Sequence, residues 1–310
     1  MKCYFALSDD VSQNDNYYWM FVATINSAIK NTDLELHCLY DFRKTFVQNI
    51  EEDRIYKLLK DKNVKIHLST IDFERELLSV YTDDYLKKIN VTKSSLYSRF
   101  LRFMIADIEN EDDVILYSDT DVLFMDKISV PNVKTIGVCP EFDKTEKYSY
   151  FNAGIMLINM ASYKDAKKQL VSMLKEKKHC SIECCDQGYL NDIYKNKFEK
   201  LPLEFNWKPY WGENSNVKIV HLHGFKPNLS TNGNENCYQE WISAILSKDK
   251  NSKAGCIHYF SEFVKYTRNK DLYLPVMTNL LCMLNCQCTE NFTFINKLKR
   301  KVKKIFMRLK

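Results

Sequence analysis

Glycine and proline are both scarce in this chain, at seven and six among 310 residues. That scarcity excludes a collagen-like or low-complexity disordered polymer, and no segment recurs at the fixed period of a solenoid or propeller. No apolar run is long enough for a membrane-spanning helix. The opening stretch Met1 to Leu7 is too short for the apolar part of a secretory signal and runs at once into Asp9 and Asp10. Without an export signal, eleven cysteines, an odd number, read as reduced thiols rather than as a closed disulfide framework. A cytoplasmic protein is expected, and the sequons at Asn90, Asn228 and Asn291 then read as chance matches. Two cysteine groups, Cys180 with Cys184 and Cys185, and Cys282 with Cys286 and Cys288, lack the paired spacings of structural zinc sites and read as buried thiols.

A hydrophobic content of 45% is enough for one substantial core. The expected layout is a catalytic domain over residues 1–265 followed by a C-terminal helical region over 266–310. The net charge of +5 is unevenly distributed, because residues 291–310 hold eight Lys or Arg and no acid, leaving −3 for the rest. A folded body of that sign argues against nucleic acid as a partner. Within the tail, Ile295, Leu298, Val302, Ile305, Phe306 and Leu309 fall within roughly 100° of a helical wheel, the pattern of a basic amphipathic helix lying on an anionic membrane surface. Peripheral attachment to the inner face of the cytoplasmic membrane is the corresponding expectation.

Periodicity organises the body. Lys2 to Ala6 reads as a strand, Ser8 to Asn16 as a loop and Tyr18 to Asn31 as a helix. Leu34, Leu36, Cys38 and Tyr40 alternate with polar residues as in a strand, Thr45 to Asp61 has helical spacing, and Val64 to Leu68 is a third strand. Thr92 to Ile108 predicts one helix ending at the acidic turn Glu109 to Asp113. Further strands are expected near Ile136 to Cys139, Ile155 to Asn159 and Val217 to His221, with helices near Ser162 to Lys178 and Asp186 to Tyr194. Strand and helix in alternation predict an α/β fold with a Rossmann-like, mostly parallel sheet flanked by helices. Val114-Ile115-Leu116-Tyr117 lacks polar alternation and should be a central strand whose carboxyl end opens on the ligand crevice.

At that end stands Asp119-Thr120-Asp121. Two carboxylates spaced i, i+2 offer hard oxygen ligands to one divalent cation, with positions left for phosphate oxygens, although an acidic strand end facing water has the same pattern. Downstream, His221-Leu222-His223-Gly224-Phe225-Lys226-Pro227 runs from a strand into a break. Strand geometry sends His221 and His223 to opposite faces, so at most one joins a shared site; Lys226 can neutralise phosphate, and Gly224 permits close backbone approach.

Six ordered segments together carry a resemblance. They are Tyr97-Ser98-Arg99-Phe100, Val114 to Phe124, Phe151 to Asn159, Asp186-Gln187-Gly188-Tyr189-Leu190-Asn191, Leu201-Pro202 with Phe205-Asn206-Trp207, and His221 to Pro227. In order and spacing the chain resembles glycosyltransferase family 8, which includes bacterial lipopolysaccharide galactosyl- and glucosyltransferases and glycogenin. The resemblance covers roughly residues 1–230. It implies a fold of the GT-A type and a retaining transferase that moves galactose or glucose from a UDP-sugar donor to an oligosaccharide or lipid-linked glycan acceptor in cell-surface polysaccharide or lipopolysaccharide synthesis. It further implies Mn²⁺, with Mg²⁺ as a substitute, held by Asp119, Asp121 and His221. Gly224 and Lys226 would contact phosphate, Arg99 would lie near the donor, and Asn152 and Ala153 would touch sugar or nucleotide. Asp186 would hold the donor sugar, and Gln187 would sit beside the anomeric carbon. The nucleotide side draws on Ala6, Asp9, Asp10, Asn16, Tyr17 and Thr120.

Two positions depart from the family pattern. An insertion, Val11 to Asn14, separates Asp9-Asp10 from Asp15-Asn16-Tyr17 and leaves the uracil contacts open among Asp9, Asp10, Asp15 and Asn16. Asn228 stands where Trp commonly follows Lys-Pro. A catalytically silent nucleotide-sugar or carbohydrate-binding protein of the same fold is the alternative reading. A two-metal phosphoryl-transfer enzyme is less well matched, since such a site needs more converging carboxylates.

Overall fold

The computed structural model describes residues 1–310 apart from 130, 146, 182–184, 225, 228, 230–249 and 285–310. The basic tail and Asn228 lie outside the described residues. In chain order the elements begin β1 (Lys2–Ser8), α1 (Asp15–Asn31), β2 (Glu35–Asp41), α2 (Arg54–Asp61), β3 (Lys65–Leu68), α3 (Glu74–Val80), α4 (Asp83–Lys88), α5 (Lys93–Phe100) and α6 (Ile105–Ile108). They continue β4 (Val114–Ser118), β5 (Val122–Phe124), β6 (Ile136–Pro140), β7 (Phe151–Asn159), α7 (Met160–Lys175), α8 (Cys185–Ile193), β8 (Glu199–Lys200) and β9 (Ile219–His221), and close with α9 (Lys250–Thr267) and α10 (Tyr273–Leu284). No described helix is long and apolar enough to cross a membrane.

The chain forms two compact units. The first comprises Met1–Asn14, Thr32–Thr120 and Lys127–Asn206. Its seven-stranded sheet has the order β3-β2-β1-β4-β7-β6-β8. Parallel pairs join β1 to β2 and β4, β2 to β3, and β6 to β8, whereas β7 runs antiparallel to both β4 and β6. The apolar strand β4 is the middle strand, as its lack of alternation predicts, and Ile115 to Ser118 are all buried. In β2 the alternation does not mark a wet face. His37 and Asp41 are buried too, His37 against His67 and Glu35, and Asp41 against Arg43. Helices cover the sheet through an aromatic core in which Phe103 stacks on Tyr163 at 5.7 Å and Phe100 meets Phe73, Tyr81 and Tyr189 edge-on.

Several expected boundaries shift, each for a local reason. The helix expected over Thr45 to Asp61 is only a short 3₁₀ turn, Ile50–Glu52, followed by α2. Thr45 instead gives its N–H and hydroxyl to the Asp9 carboxylate, and Asp53 restarts the helix by capping the N–H groups of Ile55 and Tyr56. The single helix expected over Thr92 to Ile108 is interrupted by a 3₁₀ turn, Leu101–Met104, between α5 and α6. There the chain tightens where Arg102 turns inward to polar partners. Helix α7 begins at Met160 because Asn159 caps Ser162 N–H, and it ends before Lys177, which has a left-handed φ of 53°.

The second unit comprises Asp15–Asn31, Asp121–Asp126 and Trp207–Lys310. Strands β5 and β9 pair antiparallel, with Val122 opposite His221 and Phe124 opposite Ile219. The other edge of β5 is closed by side chains of α1. Thr24 exchanges hydrogen bonds with Val122 O and N, Ser27 accepts from Phe124 N, and Asn31 donates to Phe124 O. Helix α9 lies on the turn Pro209–Trp211 so closely that only glycine fits at 255, since a Cβ there would sit 2.4 Å from Pro209 O.

Candidate active site

Asp119 immediately follows the central strand, its N–H bonded to Gly154 O on β7. Its Oδ1 accepts from Tyr117 Oη at 2.9 Å and from Arg102 Nη2 at 2.9 Å. The same guanidinium gives Nη1 to Ala153 O at 2.7 Å, places Nε 3.0 Å from Asp186 Oδ2 and lies over the Tyr117 ring at 4.4 Å. Burial works against the charge on Arg102, but Asp186, Tyr117 and Asp119 outweigh it and hold the guanidinium firmly protonated. For Asp186, 5% exposed, burial wins over the attraction of Arg102 and Arg99, and its carboxyl lies above the usual range. Tyr117 is pushed far above its ordinary value by burial, so it remains a donor to Asp119.

Gln187 follows Asp186 on α8 and is held on several sides. Its Oε1 accepts from Ala153 N at 2.9 Å, and its Nε2 donates to Glu141 Oε2 at 3.0 Å and toward Tyr150 Oη at 3.3 Å. Asn152 also donates to Glu141 Oε2, at 2.8 Å, while its own Oδ1 accepts from Gly154 N and Asn206 Nδ2. Ala153, Asn152, Asp186 and Gln187, drawn from β7 and α8, thus meet in one hydrogen-bonded network.

In the second unit the β5–β9 register sets Asp121 beside His221, with Leu222 N–H bonded to Asp121 O at 2.9 Å. His221 Nε2 stands 3.4 Å from Asp121 Oδ1, and the Lys226 ammonium pairs with Asp121 Oδ2. Strand β9 ends at His221, so strict alternation no longer governs His223. Its ring lies 5.4 Å from that of His221, and its Nδ1 bonds Tyr210 Oη at 2.9 Å. Gly224 takes a φ of 71°, which lets the chain turn back toward Lys226.

One ligand atom each from Asp119, Asp121 and His221 lies within 4.8 Å of the other two. Donors this close can converge on one cation with bonds of ~2.0–2.4 Å, and two carboxylates with an imidazole suit a borderline-hard divalent metal. Lys226 against Asp121 shows that this oxygen already attracts a positive charge.

The remaining expected site residues are more dispersed. Ala6 is buried in β1. Asp9 is buried in a 3₁₀ turn over Asp9–Gln13, formed largely by the inserted residues, and its two carboxylate oxygens are engaged by Thr45. Asp10 accepts from the Ser8 hydroxyl. Asn16, near the start of α1, accepts from Leu229 N at 2.9 Å, and Tyr17 is 43% exposed. Thr120 is half-buried, and Arg99 is exposed with Nη1 3.5 Å from Cys185 Sγ. Sequence reasoning overlooked Arg102, Tyr117, Glu141 and Asn206. The signal for Arg102 was present: a lone cation inside Phe100-Leu101-Arg102-Phe103-Met104, an otherwise apolar run, must find a buried anion.

The profile of the family described as Glycosyl transferase family 8 matches residues 140–231, the stretch holding Asn152, Asp186, Gln187 and His221. Over that stretch the chain is similar to glycosyltransferase family 8. Among its relatives, the glycosyltransferase GlyB of Streptococcus pneumoniae is 24% identical over 74% of the chain and 62% of the relative. The lipopolysaccharide 1,3-galactosyltransferase of Salmonella typhimurium is 26% identical over 60% of the chain and 58% of the relative. The chain therefore spans about three fifths of these relatives' length. A crystal structure of the galactosyltransferase LgtC with donor and acceptor sugar analogues superposes with a TM-score of 0.52 at 17% identity, covering 79% of this chain and 95% of that one. That likeness concerns fold, and it identifies the mixed sheet and its helices as the GT-A type expected from the family.

Proposed function

We propose that this chain is a glycosyltransferase of family 8 and transfers a hexose, galactose or glucose, from a UDP-sugar to a glycan acceptor, with retention of anomeric configuration and with Mn²⁺ or Mg²⁺. The observation that carries the reading is the cluster of Asp119, Asp121 and His221 with Lys226 on the Asp121 carboxylate. A bound divalent cation would supply Lewis-acid neutralisation of the charge that grows on the UDP leaving group. Asp119, Asp121 and His221 would hold it, and Lys226, displaced from Asp121 by that ion, would turn its ammonium to a phosphate oxygen. Arg102 and Tyr117 fix the Asp119 carboxylate in one orientation, so it needs no reordering when the cation arrives.

For the reacting centre, attack by the acceptor on the face the leaving group departs from is the mechanism we favour. Asp186 is tied to the Arg102 guanidinium and buried, a poor situation for a carboxylate nucleophile. Gln187 has its carbonyl oxygen already aligned by Ala153 N–H, and as an amide dipole it can stabilise a positive anomeric carbon without bonding to it. The similarity to a lipopolysaccharide galactosyltransferase supports a cell-surface glycan as the acceptor class. The basic amphipathic pattern of residues 291–310 supports attachment to an anionic membrane.

UDP release measured with Mn²⁺ across a panel of UDP-sugars is the test, wild type against Asp121→Ala. A metal-dependent signal with one donor, abolished in the variant, is the expected result. Absence of turnover with every donor, with binding retained, would favour a silent nucleotide-sugar-binding protein instead.

A further inference from the structure

A cavity of about 280 Å³ opens in the first unit, between α4 and the loop after it, the end of α5 and the segment leading into α8. Tyr81, Tyr85 and His179 form its aromatic side. Tyr85 lies 5.0 Å from His179 and 5.8 Å from Tyr81, with all three rings mutually tilted or edge-on rather than stacked. Tyr81 is buried, whereas Tyr85 is half-buried and His179 exposed, so these two rings form the accessible part of that side. The rim is polar: Asn90 and Arg99 are both exposed, and no carboxylate is among the described residues that line it. Cys185 closes the floor, 5% exposed, with its sulfur against the Arg99 guanidinium.

The next residue, Asp186, reaches Arg102, and Arg102 reaches Asp119. The cavity floor is therefore adjacent in the chain to the network that orients Asp119. The mechanism above leaves this cavity unused.

We propose that the cavity is a subsite for a hexopyranose ring of the acceptor glycan; this rests on the transferase reading. A pyranose has a face of C–H groups and a rim of hydroxyls. Tyr85 and His179 match the face, and Arg99 with Asn90 matches the rim, the division of labour usual in small-molecule pockets. The Arg99 guanidinium can also donate to an anionic substituent on the ring.

Saturation-transfer NMR on the full chain tests this, with methyl glucoside, methyl galactoside and the methyl glycosides of N-acetylglucosamine and N-acetylgalactosamine as probes, alongside UDP release without acceptor. At least one glycoside should bind wild type through its ring C–H protons. Its dissociation constant should rise about tenfold in Tyr85→Ala, the loss of one ring contact, yet stay within about threefold in Tyr85→Phe, which keeps the ring. His179→Ala, an exposed position, should weaken binding in the same direction without disturbing the core. Acceptor-free UDP release should be unchanged in all three variants. Silence from all four glycosides, or binding indifferent to Tyr85→Ala and His179→Ala, overturns the subsite while leaving the transferase reading standing. Glycoside binding lost in Tyr85→Ala, with no UDP release by any form, overturns the transferase reading and retains the cavity as a carbohydrate site.

Discussion

Replacing Arg102 by Leu should destabilise the protein and at the same time strengthen its hold on a divalent cation. The guanidinium contacts Asp119, Asp186 and Ala153 O at 2.7 to 3.0 Å and is buried. Its loss leaves Asp186, itself buried, without its nearest cation, the circumstance in which breaking a buried ion pair costs about 3–5 kcal/mol. A protein of ordinary stability survives that loss in folded form. Asp119 keeps the Tyr117 hydroxyl but is relieved of a positive charge 2.9 Å away, so an incoming cation meets less repulsion. Urea denaturation with and without saturating Mn²⁺ reads both effects. Mn²⁺ should stabilise Arg102→Leu more than wild type and thereby recover part of the loss, because ligand binding adds RT ln(1 + [L]/Kd) to stability. Arg102→Leu combined with Asp186→Asn should be less destabilised than Arg102→Leu alone. A loss below about 1 kcal/mol, or a Mn²⁺ increment equal to that of wild type, would refute the claim that Arg102 balances these carboxylates.

Two further predictions concern the frame around the site. Glu109 is buried; burial alone would raise its carboxyl, but hydrogen bonds from Tyr4, the N–H groups of Asp112 and Glu111, and Lys2 bring it to about 2 from 4.5. A lowered native value means its stabilisation is complete above about pH 4.5 and drains away as pH falls toward 2, amounting to about 3 kcal/mol at neutrality. Glu109→Gln should therefore cost about that much at pH 7 and about 1 kcal/mol at pH 3 by denaturant titration, and an equal cost at both values contradicts the assignment. Gly255→Ala should destabilise by about 1–3 kcal/mol despite alanine's better helix propensity, because the added Cβ meets backbone atoms that no rotamer change can move. A neutral or raised urea midpoint would show that α9 can shift.

The strand–helix alternation, the central position of β4 and the acidic pair at its end were all legible in the residue pattern. So was His221 as the nearer imidazole, once the resemblance was on hand. Apolar periodicity reports which faces are buried, and local capping residues such as Asp53 and Asn159 report where helices begin. Misplaced boundaries came from competition that periodicity does not register. Thr45 was drawn to Asp9 from 36 residues away, and Arg102 drew a helix into a tighter turn to reach Asp119, Ala153 and Asp186.

What the sequence by itself determined is therefore the list of chemical groups and the architecture that carries them, since both follow from local pattern. Only the tertiary structure decided how those groups are oriented. It assigned Arg102 and Tyr117 to one carboxylate oxygen, aligned Gln187 on Ala153 N–H and Glu141, and set Lys226 on Asp121. These pairings join residues tens of positions apart, and a buried charge takes whichever partner the packed strands bring within hydrogen-bond distance, a choice no local window of sequence contains.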